Sequence, residues 1–281
     1  MTTASLITTA AAVGLQWRCP GANATAHMTA VPRFKGHSQQ GEDVALVHSL
    51  FCDQCGADHS RTYVEIGALD GVMYSNTLGL EALGWRGLLI EAQPGNAAAL
   101  YRNRGRSGRN VIVPEAVCSP ASTVTFAGMK GKGTAGAIDT MDKDYFAYWQ
   151  RRGRFPATYT VPCRPLGEMV RLAGLARIDV FSLDVEGAEL AVLRTFDWSV
   201  PVSMWLVETF ADGLGRAGGG SDKHREIVAL LNASGYAEHR TLSARVGHNT
   251  IFVHRELLPL VEERVLECRS LLHSQRGRYR R

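Results

Sequence analysis

From Arg61 onward, short β-branched or aliphatic runs alternate with helical stretches, which is the pattern of βαβ units laid into a parallel sheet with helices on both faces. The runs are Thr62 to Ile66, Gly87 to Glu91, Val111 to Val113, Ile178 to Asp184 and Met204 to Val207. Helices are expected from about Ser75 to Leu83, where Gly84 stops the first, from Pro94 through Tyr101, and from Ala188 to Phe196;. Thr123 to Phe126 reads as an inserted strand, and the glycine-rich stretches Gly128 to Gly136 and Gly213 to Gly220 read as loops;. His224 to Ala233 is expected to be helical, and Asn249 to His254 reads as a late strand that could run antiparallel to the rest. The fold class that follows is α/β and Rossmann-like.

One main domain is expected over residues 35–255, after a flexible leader or targeting segment over 1–34 and before a terminal helix and basic tail over 256–281. Apolar positions at helical spacing, among them Leu257, Leu260, Val261, Val265 and Leu266, support that last helix;. At 45% hydrophobic and 21% charged residues, the chain has enough apolar material for a core and is too polar for a membrane protein;. No run approaches the roughly 20 apolar residues that span a bilayer. Lys and Arg outnumber Asp and Glu by 31 to 27, but Arg276, Arg278, Arg280 and Arg281 supply the excess, so it forms a tail and not a nucleic-acid-binding face;. The first 41 residues lack Asp and Glu and are rich in Ala and Thr. That composition suits an organellar transit peptide, a weak secretory signal or a disordered terminus. The six cysteines are scattered through a chain long enough to do without disulfide staples;. Cys52 and Cys55, with His48 and His59 nearby, lack the second Cys pair of a zinc site;.

Open parallel sheets bind ligands beyond the carboxyl ends of their strands, and the acidic and glycine residues of this chain fall there. Glu65 and Gly67 close the first strand, Glu91 the second, Glu115 follows the third, Asp184 and Glu186 close the fourth, and Glu208 the fifth. The turn Gly67-x-x-x-Gly71 lets backbone approach a ligand closely, but it is not the G-x-G-x-x-G that brings a helix N-terminus to a pyrophosphate;. That departure argues against a nicotinamide oxidoreductase. Glu91 is placed to accept two hydrogen bonds from a ribose diol. Taken singly, the glycines could be plain turns, Asp184 a helix N-cap and Glu186 a first-turn carboxylate; their joint placement at one sheet edge favours a ligand site.

The blocks Ser38 to Asp43, Val64 to Gly71, Ser75-Asn76-Thr77, Gly84 to Glu91 and Ser182 to Leu190 resemble, in order, the FkbM family of S-adenosylmethionine-dependent methyltransferases. The resemblance implies a seven-stranded, mostly parallel methyltransferase sheet, S-adenosylmethionine as cofactor, and transfer to oxygen on a sugar or other small-molecule or glycan acceptor. It also implies that Glu65, Gly67, Ala68, Asp70 and Gly71 form the cofactor turn, that Glu91 contacts the ribose, and that Glu115 and Ala116 lie beside the adenine. Asp184 and Glu186 would then face the methyl acceptor. The wording is also similar to the Star-like branch of the family, whose membrane-anchored namesake is implicated in growth-factor trafficking. A binding or trafficking module that keeps the fold without turnover is therefore the alternative.

For a hydroxyl acceptor a general base helps transfer, and Asp184 is the first candidate, with Glu186 or Glu208 positioning the acceptor and His37 or His248 behind them. A divalent metal held by Asp184 and a neighbour is a further option. Gln39 to Asp43 is expected either to cover the cofactor or to begin a helix. Arg151, Arg152 and Arg154 with Tyr145, Tyr148 and Trp149 are expected either to shape the acceptor site or to lie on a surface helix.

Overall fold

The computed structural model describes residues 36–51, 61–128, 135–140, 143–153, 155, 158–209 and 222–278. The leader, the Cys52–Cys55 pair and most of the Gly128 to Gly136 and Gly213 to Gly220 stretches lie outside the described residues. Helix α1 (Glu42–Leu50) precedes β1 (Thr62–Ile66), α2 (Leu78–Ala82), β2 (Arg86–Ile90), α3 (Pro94–Arg104) and β3 (Asn110–Val113). Next come β4 (Ala116–Val117), β5 (Thr123–Ala127), β6 (Gly136–Ala137), α4 (Lys143–Arg151) and β7 (Thr158–Arg164). The chain continues through α5 (Leu166–Leu172), β8 (Ile178–Leu183), α6 (Glu189–Leu193), β9 (Val202–Glu208) and α7 (Asp222–Ala233). It closes with β10 (Tyr236–Glu238), α8 (Arg240–Ser243), β11 (Asn249–His254) and α9 (Leu258–Arg278). None of the helices among the described residues is long and apolar enough to cross a membrane.

The main sheet has seven strands in the order β10-β11-β9-β8-β1-β2-β3. β3, β2, β1, β8 and β9 pair in parallel, and β11 pairs antiparallel with β9, as its late position predicted. Alternate side chains of each strand enter two apolar layers, because the pleat sends neighbours to opposite faces. Tyr63, Leu89, Val180 and Met204 join α1 and α9 residues on one face. Val64, Leu88, Phe181 and Trp205 join α5, α6 and α7 residues on the other. The chain leaves β3 on one side of β1 and returns at β8 on the opposite side. Strand order therefore reverses between β1 and β8, which is the topological switch point where open α/β sheets bind ligands;.

The segment after β3 holds more than the single inserted strand expected. It builds a second sheet, order β4-β7-β5-β6. β4 runs parallel to β7, and β5 pairs antiparallel with β7 over five residue pairs from Thr123↔Pro162 to Ala127↔Thr158. Cys118 and Cys163 form a disulfide across β4 and β7, with Cα atoms 5.5 Å apart, and Cys268 is disulfide-bonded too. The expectation that a chain of this length does without staples is corrected here. Among the described residues the small sheet buries Ala116, Val161 and Cys163, with Val124, Phe126 and Tyr159 partly buried against them, and the cross-link supplements this small core;.

One buried polar cluster organises the first third of the sheet. Arg104, at the end of α3, is 1% exposed. Its Nε donates to Glu81 Oε2 at 2.5 Å, its Nη2 to the Tyr63 hydroxyl at 2.7 Å, and its Nη1 to Ser75 Oγ at 3.1 Å, with Glu65 Oε2 at 3.6 Å. The guanidinium thus ties α3 to β1, to α2 and to the turn between them. Removing one partner of such a buried ion cluster leaves the other charges unpaired, at a cost of about 3–5 kcal/mol. We expect Arg104→Met to lose roughly that much stability in urea unfolding. Arg194→Ala, which breaks the exposed pair with Glu226 at 2.7 Å, should cost less than about 1 kcal/mol in the same assay;.

Candidate functional site

A cavity of about 420 Å³ opens at the carboxyl ends of β1, β2 and β8. It lies at the switch point, and the second sheet supplies its far wall through Val124, Phe126 and Ala137. Glu65, Gly67, Glu91, Glu115, Ala116, Asp184 and Glu186, all expected site residues, line it. Ala68, Asp70 and Gly71 do not border it. Ala68 is buried, and Asp70 Oδ1 accepts from Val72 N at 2.9 Å and Met73 N at 2.7 Å, shaping the turn.

The turn after β1 is held from below. Glu65 Oε2 accepts from Ser75 Oγ at 2.9 Å and Thr77 Oγ1 at 2.6 Å, and Oε1 from Asn76 N at 2.6 Å. Burial pushes the Glu65 carboxyl up, and Arg104 with these donors pulls it back. Asn76 Nδ2 in turn donates to Ser182 Oγ on β8 at 2.9 Å, closing the gap between the two strands. Ser75 thus acts earlier than the expected N-cap: α2 begins at Leu78, whose N–H reaches Ser75 Oγ at 3.1 Å. The three non-glycine residues with positive φ among the described residues, Leu69 (49°), Tyr74 (61°) and Glu186 (57°), all line the cavity. Such conformations cost free energy and collect where the surrounding structure fixes a site's shape.

Glu91, at the end of β2, is 4% exposed. Its Oε2 accepts from Leu69 N at 2.8 Å and its Oε1 from Gln93 N at 2.7 Å. Each oxygen keeps a second lone pair for a ligand hydroxyl. Burial raises this carboxyl to about 7, although the Gln93 and Leu69 N–H groups and Asn96 favour the ionised form. Glu115 is already engaged, because Arg164 Nε and Nη2 grip its two oxygens at 2.6 Å each. The pair joins the end of β3 to β7.

Beyond β8 the carboxylates crowd. Burial raises Asp184; a hydrogen bond with Glu208 and the charge of His248 pull against it, and Glu42 adds to it. Glu208 is pushed well up by burial and by the charges of Asp184, Glu186 and Glu189. Glu189 Oε1 accepts from Val185 N at 3.1 Å and Gly187 N at 3.0 Å, fixing the turn that presents Asp184 and Glu186. Burial raises Glu189 to about 7. Lys223 Nζ spans Gly187 O at 2.9 Å and Thr140 O at 2.5 Å, and so ties this turn to the second sheet. Among the described residues no three His, Cys, Asp or Glu side chains converge as a metal site.

The helix expected to begin in the N-terminal block is present. Gln39 lines the cavity, Ser38 bridges to Tyr74, and α1 starts three residues later at Glu42. Of the insertion's aromatic and basic run, Tyr148, Trp149, Arg151 and Arg152 do not border the cavity. Instead, the Arg152 guanidinium packs on the Tyr148 ring, 3.6 Å from its centroid, beside the end of α4, and Arg154 lies outside the described residues. One polar group beside the wall escaped the sequence reading: Tyr159 Oη is buried without a hydrogen-bond partner. Burial and then the charge of Glu91 raise the phenol to about 12. A lone tyrosine on a short strand gives no sequence signal of its own.

Gly67, just past β1, packs against the backbone at Asp184, just past β8. A Cβ there would sit 1.9 Å from the Asp184 carbonyl oxygen, and φ is +82°. Gly108 shares the positive φ, at +65°, with open space around it. Gly108→Ala should therefore cost only about 1 kcal/mol, the penalty for an L-residue in that region. Gly67→Ala should cost at least about 1–3 kcal/mol more from overpacking; denaturant midpoints of the two variants check this.

The comparison with curated proteins gives no match. Among solved structures, cofactor-bound Rv0187 from MTB is similar at 14% identity, over 90% of this chain and 88% of that one, with a TM-score of 0.39. The mitomycin 7-O-methyltransferase MmcR is similar at 16% identity, over 76% of this chain and 53% of that one, with a TM-score of 0.35. The O-methyltransferase NcsB1 from neocarzinostatin biosynthesis, in complex with S-adenosylmethionine and a naphthoic acid, is similar at 17% identity, over 68% and 47%, with a TM-score of 0.29. The methyltransferase FkbM domain model matches residues 65–237, more than half of the sequence, and the chain belongs to the FkbM methyltransferase family.

Proposed function

We propose that the chain transfers a methyl group from S-adenosylmethionine to a hydroxyl oxygen of a sugar or other small molecule. The observation that carries this reading is the chemistry of the cavity wall. Its described lining holds six carboxylates and no Lys, Arg or His. A pyrophosphate would find no cationic partner there, whereas a cofactor with a ribose diol and a cationic sulfur, but no phosphate, is suited to it. The residues present fit the group: Glu91 has lone pairs for the diol, and Gly67 gives backbone access.

When bound, the cofactor supplies a methyl group on positively charged sulfur, open to in-line attack. Glu91 holds the ribose, and Glu115 with Ala116 borders the adenine. Glu65 acts indirectly, by fixing the loop from Gly67 to Thr77 through its three donors. Asp184 takes the proton of the acceptor hydroxyl as general base, and Glu186, displayed by its strained backbone, orients the acceptor. The second sheet walls this end of the cavity, and each electrostatic contact shielded from water inside it is stronger for that;.

Calorimetric titration of the whole chain with S-adenosylmethionine and S-adenosylhomocysteine tests the reading. A charge-assisted hydrogen bond contributes about 1.5–3 kcal/mol, so Glu91→Ala should weaken both ligands roughly 10- to 100-fold. No binding of either ligand to a folded sample would sink the methyltransferase reading and favour a non-catalytic binding module. Affinity should also depend on pH. Glu91 titrates near 7 in the folded chain against an ordinary value of 4.5, so its ionised form is disfavoured by folding. Its contribution to stability is present below pH 4.5 and lost as pH rises through 7. The diol needs the ionised form, so affinity should fall by up to tenfold per pH unit below 7 and level off above it.

A further inference from the structure

Asp184 and Glu208 end neighbouring parallel strands. The register Leu183↔Val207 places them side by side at the carboxyl edge of the sheet, and a hydrogen bond joins their carboxyl groups. Two carboxylates in hydrogen-bond contact cannot both stay ionised without a cation between them, and a carboxyl–carboxylate hydrogen bond requires a proton. The groups facing the pair are mostly negative. They are Glu42 from α1, Glu186 and Glu189 from the turn and start of α6, and His248 next to β11. Lys223, the cation of α7 in this region, has its ammonium on two backbone carbonyls.

The other side of Glu208 gives an independent sign of that proton. Asn249 lies directly opposite Glu208 on β11 and is 7% exposed. Its Nδ2 donates to Glu42 Oε1 at 2.9 Å, which fixes the orientation of the amide, while its Oδ1 is buried without a partner. Buried acceptors are rarely left unmet. Glu208 thus lies beside Asp184 and across the strand pair from Asn249, whose Oδ1 lacks a donor, and only in its protonated form has it anything to donate.

We propose that Asp184 and Glu208 form one proton-sharing pair that holds a single proton in the cofactor-free chain, yields it when a sulfonium enters the cavity, and regains one from the acceptor hydroxyl. This rests on the cofactor reading above. In the step, the acceptor O–H bond breaks and an O–H bond forms on the pair, while an oxygen–methyl bond forms as the carbon–sulfur bond breaks. The sulfonium's positive charge disappears as the pair's second negative charge is neutralised, so net charge in the cavity is the same before and after. Asp184 borders the cavity and touches the acceptor; Glu208 stands behind it as the positioning residue that sets its proton affinity.

The two forms of the cofactor differ by one positive charge, which gives a readout that needs no acceptor. Calorimetry of the whole chain at pH 7, in two buffers of different ionisation heat, counts the protons released on binding. S-adenosylmethionine should release roughly half a proton or more beyond S-adenosylhomocysteine. Glu208→Gln, whose amide can still donate to Asp184 and Asn249, should abolish that difference while retaining binding of both ligands. Asp184→Asn, the second variant should the first not fold, should abolish it too. Equal proton release by the two ligands in the native chain would overturn the pair, as would a difference that survives both variants. Absence of binding altogether would instead remove the cofactor reading on which the proposal rests.

Discussion

The guanidinium of Arg104 is the fixed point on which the cavity depends. Glu65 would be an expensive residue in the middle of a buried strand were it not for the positive charge 3.6 Å away and the three donors that meet its oxygens;. Once there, its carboxylate acts as a template. The turn from Gly67 to Thr77 wraps around it, and the turn's own groups reach Glu91 through Leu69 N and Ser182 through Asn76. The Glu91 end of the cavity and the switch point between β1 and β8 are thus referred to one buried ion cluster and not to the flexibility of a loop.

Two ends of the cavity use the same side chain differently. At β2, Glu91 is desolvated but bound by two N–H groups, which fix the direction of its remaining lone pairs;. At β8 and β9, Asp184 and Glu208 are desolvated beside one another, so their interaction concerns protons. Carboxylates separated by their environments in this way can divide binding from base chemistry within one cavity. The charges that the second sheet brings to the wall are acidic, Glu115 beside β4 and Asp139 after β6, and Arg164 of β7 is spent on Glu115.

The main sheet was legible because its strands are aliphatic runs bounded by glycine, and because their carboxylates recur at one end. That same regularity named Glu91, Asp184 and Glu186 as cavity residues. The second sheet was not legible for physical reasons. β4 and β6 are two residues long, too short to show a period, and β7 contains Pro162, which argues against a strand flanked on both sides, as β7 is;. Nor does a spacing of 45 residues between Cys118 and Cys163 mark a pair;. Glu65 was placed correctly at the strand end, but its partner Arg104 closes a helix 39 positions on, and buried arginines leave no trace in a hydrophobic pattern;. The insertion's aromatic and basic run stood out in composition yet packs on itself, since composition does not tell which way a helix faces.

The left-handed backbone at Leu69, Tyr74 and Glu186 has a consequence for how this protein can change. Glycine would relieve each of the three positions, so the backbone alone would favour it there. The chain instead places three bulky side chains where they narrow the cavity, and it tolerates a less stable fold in exchange for a preformed shape. Engineering that seeks robustness will find its easiest gains at these residues, and each gain will slacken the cavity it was meant to preserve.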